Sequence, residues 1–261
     1  MLRYRLASAI ILIPLIIGSV ILGGLAFFAV ITVALLIADY EFFQMAARAG
    51  YRPNVLFGLV LCEAFLLDAF LGGTGTLAIL AAALVVSLAA SVFWPREGWI
   101  TGWSLTLAGA LYIGVLGSYA LFMRGLPDGA IWTALALLAT WATDTAAFVT
   151  GTRFGRHGFF KNISPKKTWE GAIGGWTAST LAMMGLGWIA GLPLIHGFLL
   201  GLGIGIAGSL GDLAESVVKR QLGAKDSGAI VPGHGGLLDR IDSLLFAAVF
   251  AYYYMVWIVR L

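Results

Sequence analysis

The chain has 261 residues, of which 60% are hydrophobic and 11% charged, with a formal net charge of +3 and a mean hydropathy of +0.95. A water-soluble domain covers itself with roughly 25% charged residues, so these proportions exclude a soluble globule, a disordered chain, a collagen-like repeat and a coiled coil. The single cysteine, Cys62, lies in an apolar run and has no partner for an internal disulfide, which excludes a disulfide scaffold and leaves an integral membrane protein.

Runs long enough to cross about 30 Å of hydrocarbon recur along the whole chain. They lie near 6–23, 25–46, 55–72, 76–94, 103–122, 130–151, 171–191, 194–222 and 243–260. The breaks between them carry turn or charged residues, such as Gly23-Gly24, Arg52-Pro53, Gly72-Gly73 and Pro95-Arg96-Glu97. The first two runs are joined so closely that they must form a helical hairpin. Met1-Leu2-Arg3-Tyr4-Arg5 and the apolar stretch behind it also resemble a secretory signal peptide. No small-x-small cleavage site follows at a suitable distance, so the segment is read as an uncleaved first helix. The expected fold is an all-α polytopic bundle of about nine transmembrane helices in a single membrane domain, residues 1–261.

Lysine and arginine placement orients that bundle. With a cytoplasmic N-terminus, fourteen of the 16 Lys and Arg residues fall on the cytoplasmic side, and only Arg124 and Arg260 fall outside. Charge also clusters along the chain: residues 1–143 hold 12 charged residues, 144–242 hold 16 and 243–261 hold one. The chemistry is therefore expected in the middle block, at the cytoplasmic ends of the sixth and eighth runs and in the loops after them.

Within the sixth run, Asp144 stands between Thr143 and Thr145. An acid at that depth needs a partner, either a basic residue or a cation. The following loop runs from Gly151-Thr152-Arg153 to Ser164-Pro165-Lys166-Lys167-Thr168-Trp169-Glu170-Gly171, with five Lys or Arg between 153 and 167. Such a loop is either an inside-positive anchor for acidic lipids or, since glycine, serine and threonine interleave with the cations, a phosphate-binding loop.

In the eighth run, Gly203-Ile204-Gly205-Ile206-Ala207-Gly208 matches G-x-G-x-x-G by letter. A dinucleotide fingerprint needs a preceding strand and a helix that starts at the glycines. These glycines sit inside an apolar helix with Gly201 in register, so close helix packing explains them. Asp212, Glu215, Ser216 and Lys219 follow at i, i+3, i+4 and i+7, one face of a continuing helix flanked by Arg220. The stripe is either a helix emerging into water with i,i+4 ion pairs or a charged face at the depth of a lipid phosphate. A transporter would place its charges nearer the midplane.

Lys225-Asp226-Ser227-Gly228, Pro232-Gly233-His234-Gly235-Gly236 and Asp239-Arg240-Ile241-Asp242 come next. Glycines let this loop fold tightly and expose N–H groups to anionic oxygens. Asp239 and Asp242 can converge on one cation, and carboxylates without thiolates suit Mg²⁺ better than zinc. His234 is a metal ligand, an acid or base, or a hydrogen-bond donor within the loop. Nearer the N-terminus, Asp39 and Glu41 either border the site or cap the membrane edge. Glu63 and Asp68 in the third run suit a helix facing a wet cavity as well as a permeation path.

Residues 216–242, with Ser216-Val217-Val218-Lys219-Arg220, Lys225-Asp226, His234-Gly235-Gly236 and Asp239-Arg240-Ile241-Asp242, resemble the signature of the phosphatidate cytidylyltransferases. Ser164-Pro165-Lys166-Lys167-Thr168 with Glu170-Gly171 resembles that family's second block. The resemblance implies a membrane enzyme joining CTP and phosphatidic acid to give CDP-diacylglycerol and pyrophosphate, active on the cytoplasmic side of a bacterial inner membrane. It also implies Mg²⁺ dependence, a second, monovalent cation such as K⁺, a homodimer surrounded by membrane lipids, and no nucleic-acid partner.

Carried over by position, Asp212 and Asp239 are the expected metal-binding carboxylates, and Asp242, Asp226 and Asp144 complete the acidic site. Residues 130–261 then hold the catalytic helices and loops, and 1–129 the N-terminal helices. Lys219, Arg220, Lys225, Arg240 and His234 are expected in the catalytic set. Ser164, Lys166, Lys167, Thr168, Glu170, Ser216, Gly235 and Gly236 are expected around the substrates. Two other classes are weighed against this reading: a CTP-dependent polyprenol or phytol kinase and a non-enzymatic transporter.

Overall fold

A computed structural model describes residues 2–93, 97–230 and 235–260, with side chains from Ile10 onward. Every apolar run of the sequence coincides with helix. Helices α1 (Leu2–Leu22) and α2 (Gly24–Arg48) meet at Gly23 and Gly24, whose φ angles of 65° and 50° only glycine adopts without strain. That pair of residues lets the chain reverse without a loop.

Helix α3 (Val55–Phe70) starts at Asn54, whose side chain accepts from the Phe57 N–H. The turn into α4 (Thr76–Phe93) is held by Asp68, which accepts from Gly75 N at 2.7 Å and Thr76 Oγ1 at 2.6 Å. Asp68 is thus a capping residue for that turn, which accounts for one of the two acids in the third run. Residues 99–124 form one helical stretch, α5 (Trp99–Gly109) and α6 (Leu116–Arg124), with a π-helical turn between them (Ala110–Val115). Then come α7 (Gly129–Phe154), α8 (Trp169–Ile189), α9 (Leu194–Gln221) and α10 (Leu238–Tyr254), the last extended by a π-helical turn, Met255–Val259.

Six of these stretches are long and apolar enough to cross a membrane: Gly24–Arg48, Thr76–Phe93, Trp99–Arg124, Gly129–Phe154, Leu194–Gln221 and Leu238–Val259. Helix α4 shows the lipid-facing character most plainly, with Leu77, Val85, Val86, Val92 and Phe93 all exposed. No strand occurs among the described residues, and the isolated β-bridge joins Gly158 to Thr168. The protein is a polytopic, all-helical membrane protein.

The chain forms two compact units, one made of Met1–Phe122 with Gln221–Asp239 and the other of Met123–Arg220 with Arg240–Leu261. In the first, Leu61, Phe65, Ala83, Leu107 and Ala110 make a buried apolar cluster. In the second, helices pack through small residues. A Cβ on Gly175 would lie 2.8 Å from the Thr143 carbonyl, and one on Gly171 2.9 Å from that of Ala147, so α7 and α8 touch backbone to backbone. Gly197, Gly201 and Gly205, one per turn of α9, press on α8, and Ser179 Oγ donates to the Gly201 carbonyl at 2.8 Å. Gly203, Gly208 and Gly211 face Phe250, Ser243 and Asp242 of α10. The G-x-G-x-x-G letters are helix-packing positions, Gly205 against α8 and Gly203 and Gly208 towards α10.

Candidate active site

The second unit gathers the acids. On α9, Asp212 is partly exposed, whereas Glu215 is fully buried and Lys219, 8% exposed, forms an i,i+4 ion pair with it. Asp242, one turn into α10, is 6% exposed, and its Oδ1 accepts the Ser243 N–H at 2.6 Å. One carboxylate oxygen each from Asp212, Glu215 and Asp242 lies within 4.8 Å of the others. Three like charges at that spacing, two of them buried, repel one another unless protons or cations intervene. The donors are all hard oxygens, without sulfur or imidazole, and they fit a divalent cation such as Mg²⁺. Asp144 of α7 lies within electrostatic reach of Asp212, Lys167 and Arg240, and Asp242 within reach of Asp212, Glu215 and Asp144.

The basic loop after α7 is folded back onto the same helices. Phe159 N donates to the Lys167 carbonyl at 2.8 Å and Trp169 N to that of His157 at 2.9 Å, which closes a short hairpin around the Gly158–Thr168 bridge. Phe159 is the anchor. It packs against Ala172 and Leu213 in a buried cluster flanked by Ile163 and Trp176, with the Trp169 ring edge-on at 4.5 Å. Thr168 caps α8 by accepting the Gly171 N–H at 3.2 Å.

Glu170 accepts Arg156 N at 3.1 Å and His157 N at 3.3 Å, and its other oxygen meets His157 Nδ1 at 2.6 Å. The His157 hydrogen bond, helped by these N–H donors, lowers the Glu170 carboxyl to about 2. Held this way, the hairpin presents Lys167 Nζ 2.5 Å from Asp212 Oδ2. The loop is thus a hairpin closed by backbone hydrogen bonds and seated on α8 and α9 through Phe159.

The first unit holds the other half of the signature. Asp239 Oδ2 accepts from Ser227 N at 3.0 Å, Ser227 Oγ at 2.9 Å and Gly236 N at 3.0 Å, so the acid closes the 227–236 loop on itself. Lys225 and Asp226 are exposed and, with Arg48, Met45 and the backbone around Gly223 and Gly228, line a cavity of about 420 Å³. His234 lies outside the described residues.

A sequence model of the Cytidylyltransferase family matches residues 3–258. The chain belongs to the cytidylyltransferase family. It is similar to the phosphatidate cytidylyltransferase of Synechocystis sp., at 36% identity over 97% of this chain and 96% of the relative. It is also similar to those of Brucella suis, at 34% over 96% and 92%, and Mycobacterium bovis, at 32% over 94% and 86%. The relatives match the chain nearly end to end, so they cover both units and the loops described above.

Asp144, Lys167, Asp212, Lys219, Arg240 and Asp242 therefore fall in one neighbourhood of this family member. Ser216 is buried on α9 beside Glu215, while Ser164 lies in the basic hairpin, where its carbonyl accepts Lys167 N at 3.1 Å. Lys166 and Arg220 are exposed. Lys225, Asp226, Gly235, Gly236 and Asp239 belong to the other unit.

Two further acids, outside the catalytic, substrate and metal sets expected from the sequence, take definite places. Glu215 is i+3 from Asp212 and i−4 from Lys219, a spacing that already places it on the charged face. Glu41 is 2% exposed and so does not cap the membrane edge in water. Its Oε2 accepts Leu238 N at 3.0 Å and Ser227 Oγ at 3.2 Å. No local pattern signals it, because its partners are nearly 200 positions away.

Proposed function

We propose that this protein transfers the cytidylyl group of CTP to phosphatidic acid, releasing pyrophosphate and forming CDP-diacylglycerol for phospholipid synthesis in a bacterial cytoplasmic membrane. The observation that carries this reading is the Asp212–Glu215–Asp242 carboxylate cluster flanked by Lys167 and Lys219, in a chain aligned end to end with phosphatidate cytidylyltransferases.

The reaction joins two polyanions, and its nucleophile, a phosphatidate oxygen, is anionic already. No strong general base is needed; the requirement is to neutralise charge and align the phosphate groups for in-line displacement at the α-phosphorus. Asp212, Glu215 and Asp242 would hold the Mg²⁺, with Asp239 a further ligand on the family signature alone. The ion, when bound, supplies positive charge to phosphate oxygens in nucleotidyl transfer, and a monovalent cation such as K⁺ is proposed alongside it. Lys167 and Lys219 sit against these acids and contribute cationic N–H donors. Arg220, Arg240, Lys166 and Lys225 are the remaining cations proposed to grip the triphosphate and the lipid phosphate, with Asp144, Asp226, Ser164, Thr168, Ser216, Gly235, Gly236 and His234 completing the site.

The orientation proposed is nine spans with a cytoplasmic N-terminus. It puts Asp212, Lys167 and the loops on the inner face, where CTP arrives from water and acyl chains from the inner leaflet. A homodimer is the proposed assembly.

The deciding assay uses purified protein in liposomes with labelled CTP, phosphatidic acid and Mg²⁺, followed by lipid extraction. A cytidine-containing lipid and pyrophosphate are expected. CDP and a new lipid phosphate from an added polyprenol would mean the lipid-kinase reaction, and no CTP turnover would overturn the reading.

A further inference from the structure

Glu41 lies on α2, far in sequence from the signature, and is almost entirely buried. A buried carboxylate is expensive to desolvate and is by itself weak evidence for stability, so what it holds is informative. Its Oε2 accepts the Leu238 N–H and approaches the Ser227 hydroxyl. That hydroxyl is also 2.9 Å from Asp239 Oδ2. Ser227 has one proton to give and two carboxylates to receive it, so Glu41, Ser227 and Asp239 form a continuous chain of polar contacts.

The chain spans both ends of the loop: Ser227 at its start, Gly236 and Leu238 at its finish. These two ends fit closely around the Glu41 carboxylate. A Cβ on Gly228 would collide with Oε1, and one on Gly236 would lie 2.6 Å from Oε2. Gly228 and Gly236 thus leave the room that this acid and the Ser227 hydroxyl occupy. Lys225 and Asp226, immediately before Ser227, are carried on the same anchored segment and face the cavity that also contains Arg48.

We propose that Glu41 is a positioning residue for cytidylyl transfer: it acts through Ser227 and Leu238 to set the loop that presents Lys225, Asp226 and Asp239 to the nucleotide. This rests on the cytidylyltransferase reading above. The segment borders an open cavity that carries the charged side chains of Arg48, Lys225 and Asp226, so the effect of losing the anchor falls on CTP and not on the lipid.

The test measures KM and kcat for both substrates in Glu41→Ala, Glu41→Gln and Ser227→Ala, normalised to folded protein by detergent size-exclusion and thermal unfolding. Glu41→Ala is expected to raise the KM for CTP by about tenfold with the phosphatidate KM within about twofold of wild type. Glu41→Gln keeps a carbonyl oxygen for Ser227 and Leu238 and is expected to restore most of the CTP affinity. Ser227→Ala removes the hydroxyl that bridges Glu41 and Asp239, while the Ser227 N–H to Asp239 remains, and is expected to shift the same KM in the same direction.

A purely structural role would lower the yield of active enzyme and leave the CTP KM where it was; that result overturns the proposal. If Glu41→Ala fails to fold, Ser227→Ala decides, and an unchanged CTP KM in that variant is equally fatal. Wild-type protein that makes no cytidine lipid refutes the cytidylyltransferase reading itself, a different outcome from a wild-type enzyme indifferent to Glu41.

Discussion

Lys167 Nζ lies 2.5 Å from Asp212 Oδ2, which joins a lysine of the basic hairpin to an acid of α9. The pair is partly exposed on both sides, so its worth to folding is small, about 1 kcal/mol or less. Its worth to a reaction between polyanions is larger. Lys167→Ala is expected to lower kcat/KM about a hundredfold, as removal of a charge-stabilising donor does elsewhere, with little change in unfolding temperature. Steady-state kinetics and a thermal melt on one preparation check both halves.

Glu215 separates a metal cluster from an isolated ion pair. As a ligand, its replacement by Gln is expected to raise the Mg²⁺ concentration for half-maximal activity and shrink the stabilisation that Mg²⁺ confers in a thermal melt, which follows mass action. If Glu215 merely neutralises Lys219, Glu215→Gln leaves both Mg²⁺ responses unchanged.

Asp239 has two roles to distinguish, a loop clip and a proposed metal ligand. Asp239→Ala removes both and is expected to abolish Mg²⁺-dependent turnover while the protein still inserts. Asp239→Asn keeps a carbonyl oxygen for the Ser227 and Gly236 N–H donors but loses the charge. The asparagine variant is expected to unfold at the wild-type temperature and yet remain inactive. An active Asp239→Asn enzyme would leave only the clip.

The hairpin after α7 carries a pH dependence of definite sign. The Glu170 carboxyl is lowered from its ordinary 4.5 to about 2 by His157 and the loop N–H groups. A depressed carboxyl stabilises the folded loop above the unfolded value and loses that contribution as pH falls from about 4.5 towards 2. Protection against hydrogen exchange in peptides covering 155–170, taken relative to the unstructured rate at each pH, is expected to hold down to about pH 4.5 and to fall below it. Glu170→Gln is expected to exchange faster already at neutral pH, with a flatter profile.

Arg124 closes α6 and stands outside the charged middle block. The proposed orientation, nine spans with a cytoplasmic N-terminus, would put it on the face away from the site. Arg124→Ala is expected to leave turnover within about twofold of wild type, the usual range for a substitution remote from a site. A large loss would contradict that orientation.

Much of this protein is written locally. Apolar runs of about 20 residues can only be helices in lipid, since every backbone polar group must be satisfied within the segment, and the runs near 25–46, 130–151 and 194–222 coincide with α2, α7 and α9. The stripe Asp212, Glu215, Ser216 and Lys219 follows from the 3.6-residue period alone. The fixed polar positions of 216–242 are enough for the family resemblance.

What the linear chain leaves open is which distant carboxylates share a neighbourhood and which hydrogen bonds they accept. Asp239 and Asp242, three residues apart, read as acids able to converge on one cation, yet one accepts from the loop amides and the other is buried beside Glu215. Glu41 reads either as bordering the site or as capping the membrane edge, and it accepts hydrogen bonds from Ser227 and Leu238, nearly 200 positions away. Side-chain period is a property of one helix, whereas burial and partner choice depend on which helices meet; that is decided by packing through Gly171, Gly175, Gly201 and Gly205, and by loops no periodicity describes.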